Sequence, residues 1–193
     1  MKVKAVASDN NPGIRLLTVN VAESDAINKL TETLKKHMPR DRKVTFLCIG
    51  TDRSTGDSFG PMLGTFLEQK GIDVVGTLKL PAHATNLDDR IAEIPKENFV
   101  VAIDACLGKL ENVGNMNIIK GKMFPGAGVD KKLTPVGDLA ISYVVNAAGF
   151  MEYAVLQNTR LSAIWDGAQL LSSAIGQAVG KESNSIVSKE QTA

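Results

Sequence analysis

VTFLCIG (residues 44–50), TDRSTGDS (51–58) and SFGPMLGTFLEQK (58–70) are the stretch that decides how this chain folds. The first segment is short, apolar and β-branched, and it ends in glycine, the pattern of a central strand buried on both faces. The second is a polar loop. The third reads as a helix, with Pro61 in its first turn and Gly71 just past its end. The same grammar then repeats: IDVVGTL (72–78) as a strand, NLDDRIAEI (86–94) as a short helix before Pro95, and NFVVAIDA (98–105) as a third strand. Strands alternating with helices imply parallel pairing through right-handed crossovers, hence an α/β fold with a mostly parallel sheet.

Working outward toward the N-terminus, residues 23–38 place Ala26, Ile27, Leu30, Leu34 and Met38 on one helical face, and Pro39 ends that helix. Residues 1–20 read as a loose or partly extended lead-in, with a turn at Asn10–Gly13. Toward the C-terminus, GNMNIIKG (114–121) and LAISYVVNAAG (139–149) read as strands on either side of a loop rich in glycine and proline. From Phe150 to about Val179 a stripe of apolar and small residues predicts one long helix, or two broken near Asn158. Residues 181–193 are polar and expected to fray. No internal repeat or linker interrupts the 193 residues, so one domain is expected.

Composition excludes several classes. The net charge of +1 supplies no field to gather nucleic acid or an anionic membrane, and 5% aromatic content leaves little for base stacking. No apolar run approaches the length of a membrane span. The first residues, MKVKAVASDNNPGIR, lack the apolar core of a signal peptide, so a cytoplasmic protein is expected. Cys48 and Cys106 lie in apolar segments without metal-site spacing and read as small hydrophobes.

In an open α/β sheet, ligands bind beyond the carboxyl ends of the strands, where strand order reverses. If strand 44–50 is central, the reversal falls between it and strand 98–105. The loop after the former carries Asp52, Arg53, Ser54, Thr55, Asp57 and Ser58, and the end of the latter carries Asp104. Two carboxylates in one crevice either split their titrations into an acid and a base, suited to activating water, or hold a divalent metal. Plainer readings exist for each residue. Asp57 precedes a helix and suits an N-cap, and a lone strand-end Asp104 is often structural. Loop 50–60 is rich enough in glycine to cradle a phosphate, but it has neither the Walker nor the GxGxxG pattern. His83, in the loop after the second strand, reads as a surface residue before it reads as a catalyst. The loop at 125–133, with Gly126 and Gly128, is either an exposed connector or a substrate-lining segment. Asn146, at a strand end, is placed to face the same crevice.

CIGTDRSTGDSFGP (48–61), AIDACLG (102–108), FPGAGVDKKL (124–133), VGD (136–138) and NAAGFMEYAVLQNTRL (146–161) together resemble the YyaC-type sporulation proteins, also called spore proteases, over roughly residues 42–180. More distantly the chain resembles the germination protease that degrades small acid-soluble spore proteins. There the matches are Gly56-Asp57-Ser58-Phe59-Gly60-Pro61, Ala102-Ile103-Asp104-Ala105 and Pro125-Gly126-Ala127-Gly128-Val129. A further relative is the hydrogenase maturation endopeptidase, where acidic residues at these two places and a later histidine bind a metal; both histidines here precede Asp104. The resemblance implies a three-layer α/β/α, phosphorylase/hydrolase-like fold. It also implies catalytic roles for Asp57 and Asp104 in an endopeptidase of sporulating cells, acting on a protein or peptide substrate such as small acid-soluble spore proteins, in the cytoplasm or forespore. Substrate contacts are expected from Asp52, Arg53, Ser54, Thr55, Ser58, Gly126, Gly128 and Asn146. No cofactor is expected, with a divalent metal at Asp57 and Asp104 as the alternative. A homo-oligomer is expected from the apolar girth of the long C-terminal helix.

Overall fold

A computed structural model describes residues 13–125 and 133–181. In chain order the elements are β1 (Ile14–Asn20), α1 (Ala26–His37), β2 (Val44–Cys48), a 3-10 turn (Gly56–Ser58), α2 (Phe59–Gln69), β3 (Val74–Val75), α3 (Leu87–Ala92), β4 (Phe99–Gly108), a second 3-10 turn (Leu110–Asn112), β5 (Asn115–Lys120), β6 (Leu139–Ala147), α4 (Glu152–Gln157) and α5 (Leu161–Ala178). The strands form one sheet in the order β1-β5-β6-β4-β2-β3. β3, β2, β4 and β6 pair in parallel, and β5 runs antiparallel to both β6 and β1. The mostly parallel α/β sheet expected from the alternating pattern is therefore present.

Side chains from alternate strand positions divide between two cores. Phe46, Cys48, Val101, Ile103, Ile141 and Tyr143 face the larger one, built with Leu30 and Leu34 of α1, Leu63 and Leu67 of α2, and Ala168, Leu171 and Ile175 of α5. Leu47, Ile49, Ala102, Ile119 and Ala140 face the smaller one, which adds Leu87 of α3 together with Met123 and Val136. The sandwich is thus uneven, with three long helices on one face and one short helix plus irregular chain on the other. The fully polar face is missing because central parallel strands must be covered on both sides.

Several expectations are refined. Part of the lead-in expected to be loose is an edge strand: Leu17 and Val19 of β1 pack toward the larger core while the strand pairs with β5. The second predicted strand shrinks to Val74–Val75, because Gly76 turns away at φ 96°. β4 runs on to Gly108, held by β6 through a bulge after Cys106, so Asp104 lies inside a strand and not at its end. The C-terminal helical stripe breaks at 158–160, between α4 and α5. Most of the apolar girth of α5 is turned into the core; Leu161 and Trp165 stay exposed, and Trp165 meets Phe66 edge-on at 5.2 Å. No helix among the described residues is long and apolar enough to cross a membrane.

Glycine sets how closely α2 lies on the sheet. A Cβ on Gly60 would stand 1.9 Å from the Ile49 carbonyl oxygen, and a Cβ on Gly50, itself at φ 142°, would stand 2.0 Å from the Asp57 carbonyl oxygen. Neither contact has room for a side chain, and both neighbours are backbone. We expect Gly60→Ala to lower the unfolding free energy by about 1–3 kcal/mol, the usual range for overpacking. Urea denaturation against the parent chain reads this directly, and an unchanged midpoint would mean that α2 does not lie where described.

Candidate active site

β2 lies between β3 and β4, so the chain leaves its carboxyl end toward one neighbour and later returns on the other side. This is the switch point at which α/β sheets bind ligands. Three segments meet there. From β2 comes the loop ending in the 3-10 turn that carries Asp57. From β4 comes Asp104. From the chain beyond β3 comes Ala82, which bridges Ile49 in parallel and accepts a hydrogen bond from the Gly50 N–H at 2.8 Å. The next residue is His83.

The turn bearing Asp57 is tied down by the backbone. The Thr51 N–H donates to the Asp57 carbonyl at 3.1 Å, and the Ser58 hydroxyl donates to the Thr55 carbonyl at 2.6 Å. Ser58 is the N-cap of α2, and it makes no side-chain cap bond to that helix. Asp57 therefore does not occupy the N-cap position that its place before the helix suggested. α4 presses on the turn from above: a Cβ on Gly56 would stand 2.8 Å from a Leu156 methyl and 3.0 Å from the Thr159 hydroxyl.

Asp104 faces the smaller core. Its register partner on β6 is Ser142, whereas Val101, Ile103 and Ile141 face the other way. Burial raises the Asp104 carboxyl well above the ordinary aspartate range, and the nearby charge of Asp57 raises it further; the Ala105 N–H opposes both. Asp57 is also raised by burial, with the Thr51 N–H and the charge of His83 acting against the rise. The two carboxyls are thus coupled, and the deeper one is the better proton holder. An acid and a base result from one residue type in two environments.

The other expected site residues divide. Asp52 and Arg53 are exposed on the same loop, and Thr55 is half-buried. Ser54 is buried, and its hydroxyl has no hydrogen-bond partner among the described residues, leaving a polar atom available inside the loop. Ser58 is engaged with its own turn. Asn146 reaches the same edge, but its amide donates to the Thr159 hydroxyl at 3.3 Å and accepts from the Ala147 N–H at 2.8 Å, which ties the end of α4 to β6. Gly126 and Gly128 lie outside the described residues. The chain on either side of them is joined by the Met123–Val136 bridge, and the Asp138 N–H donates to the Val100 carbonyl near the start of β4.

Sequence reading undervalued His83, which the structure brings to Asp57. The available signal was its position just after a strand, on the edge where the loops converge. Among the described residues no three His, Cys, Asp or Glu side chains are arranged to hold a metal ion. A metal at Asp57 and Asp104 would find no third such ligand among the described residues.

Taken together, the chain is an α/β protein with a mixed six-stranded sheet and a coupled carboxylate pair at its switch point. It belongs to the family described as a protein of unknown function, DUF1256, matched over residues 18–174. It is 48% identical over 148 residues to the uncharacterized protein YyaC of Bacillus subtilis (strain 168), a match spanning 74% of this chain and 71% of that one. Among solved structures it is similar to the NiFe hydrogenase maturation protease HycI from Thermococcus kodakarensis KOD1. That match has a TM-score of 0.52 and 19% identity, and it covers 76% of this chain and 98% of the other. At that identity the likeness establishes a shared fold.

The raised Asp104 carboxyl has a consequence for stability. Its pKa in the folded chain exceeds that in the unfolded chain, so the folded state holds a proton that the unfolded state has released. The contribution of Asp104 to stability is therefore fully present below the ordinary aspartate range and is lost as pH rises through the elevated folded value. Asp104→Asn removes the charge while keeping the shape. Its stability relative to the parent chain should rise from acidic to neutral pH in urea melts. A difference that does not vary with pH would show that Asp104 ionises as an ordinary aspartate.

Proposed function

We propose that this chain is an endopeptidase of sporulating cells that hydrolyses peptide bonds with Asp57 and Asp104 and acts in the cytoplasm or forespore on small acid-soluble spore proteins or similar substrates. The observation that carries the reading is the pair itself: two carboxyls at the switch point, one on the turn after β2 and one inside β4, with the second raised well above the ordinary aspartate range by burial and by the charge of the first. The fold shared with a maturation protease supports it, as does the resemblance of the segments around both aspartates to the germination protease.

The environments assign the roles. Asp57, favoured as a carboxylate by the Thr51 N–H and by His83, takes a proton from a water molecule. The water oxygen bonds to the substrate carbonyl carbon, and its electron pair passes to the carbonyl oxygen. As the tetrahedral centre collapses, the C–N bond breaks and the leaving nitrogen takes the proton held by Asp104. The new carboxyl product departs, and the proton on Asp57 returns to Asp104 directly or through water. General acid–base catalysis by such groups contributes about 10²–10⁴-fold. Ser54 and the exposed Asp52 and Arg53 lie on the loop beside the substrate's path.

Incubating the pure protein with small acid-soluble spore proteins, beside an Asp104→Asn variant, tests the reading by mass spectrometry. Discrete fragments from the parent chain, reduced at least 10²-fold in the variant, are expected. No fragments from either, with both folded, would favour a binding protein that keeps the fold without turnover. The same reading includes a homo-oligomer, because Phe150, Met151 and Tyr153 at the start of α4 and Leu161 and Trp165 in the first turns of α5 are exposed. Light scattering that shows only monomer at working concentration would remove that part.

A further inference from the structure

On the face of the sheet that carries Asp104, a row of polar side chains crosses four strands. Register pairs Thr18 of β1 with Asn117 of β5, Asn117 with Ser142 of β6, and Ser142 with Asp104 of β4. Their neighbours along each strand, Val19, Met116, Ile141 and Ile103, point into the larger core, so the four polar groups share the opposite face. Next in line after Asp104 is Ile49, which is apolar. The row therefore approaches Asp104 from the β6 side alone.

Asn117 is 4% exposed and Ser142 is 9% exposed, and both are flanked along their strands by buried apolar residues. Buried polar groups in such places are hydrogen-bonded, and leaving one unmade costs stability. The Thr18 hydroxyl donates to the Asn117 carbonyl oxygen at 2.7 Å, which turns the amide nitrogen toward β6. That nitrogen donates to the Ser142 hydroxyl oxygen at 3.4 Å. One lone pair of Ser142 is thereby engaged, which leaves its own proton free to be donated elsewhere. Among the described residues that proton makes no hydrogen bond, to Asp104 or to any other acceptor. The charged group on the adjacent strand position of that face is Asp104, and paired strands lie about 4.8 Å apart.

We propose that Ser142 is a positioning residue for Asp104. The chain Thr18–Asn117–Ser142 presents the Ser142 hydroxyl proton to the Asp104 carboxylate whenever that carboxylate is ionised. In the resting state Asp104 holds its own proton and the contact is slack. When the proton leaves, a turn of the Ser142 side chain supplies a charge-assisted hydrogen bond. The inference rests on the role of Asp104 proposed above. It adds a way for the acid to give up its proton without being left as a bare buried charge. The other titratable groups near Asp104 are Asp57 of the 3-10 turn, with His83 beyond it, and Cys106 on the same strand.

The test needs no turnover, so it stands or falls apart from peptidase activity. Full-length protein labelled with ¹³C at the aspartate carboxyls is titrated by NMR, with the Asp104 signal identified by its loss in Asp104→Asn. Ser142→Ala should raise the apparent pKa of Asp104 by about one unit, a tenfold change in the proton equilibrium. Ser142→Thr, which restores the hydroxyl, should return it. If Ser142→Ala does not fold, Thr18→Val, at the exposed end of the row, should move Asp104 the same way by a smaller amount. An Asp104 titration identical in the parent chain and in every folded variant would overturn the proposal. A shift in Asp57 with Asp104 unmoved would overturn it equally.

Discussion

The backbone of α2 touches the chain just past β2 where Gly60 meets Ile49, and the preceding turn touches it again where Gly50 meets Asp57. Chain segments this close cannot slide past one another. The turn that carries Asp57 is thus pinned to the end of β2, beside β4. The placement of Asp57 against Asp104 follows from that contact. So does the position of Ala82, which bridges the same residue, Ile49, and brings His83 to the pair. α4 completes the enclosure by packing Leu156 and Thr159 against Gly56, and Asn146 anchors it to β6.

Burial in that enclosure acts on two identical side chains differently. Asp104 stands inside a strand, half-buried, and its charged form is disfavoured first by desolvation and then by its neighbour. Asp57 stands on a turn, where burial also raises its carboxyl but a backbone N–H and a histidine act against the rise. The asymmetry is a property of position. A loop can offer N–H groups to an acid, whereas strand N–H groups are largely committed to the sheet. Besides the Ala105 N–H, the polar row through Ser142 is the side from which a neighbouring strand can offer Asp104 a side-chain donor, since the opposite neighbour, Ile49, has none.

Much of this was legible in the chain. The apolar segments at 44–50 and 98–105, separated by helical patterns and punctuated by Pro61, Gly71 and Pro95, specified parallel strands with crossovers. The two aspartates stood at the ends where such sheets bind ligands. The break near Asn158 also showed in the pattern. What misled was local. The residues at 14–20 read only as loose or partly extended, and not as a strand, because an edge strand shows only a weak alternation and takes its stability from its neighbour, β5. The strand at 98–105 seemed to end near Asp104 because a carboxylate inside a sheet is rare, and only pairing with β6 carries the strand on to Gly108.

By itself the sequence determined which segments are strands and helices and which face of each is apolar, because those follow from periods of two and 3.6 residues written along the chain. It also determined that two carboxylates lie near one sheet edge. The tertiary structure alone decided that Asp57 is a turn residue and not the helix cap, that His83 joins it, and that Ser142 and Asn117 stand in line with Asp104. Each of these is a meeting of residues far apart in sequence, set by strand order and register. Register is chosen by the packing of whole faces, which no local pattern records.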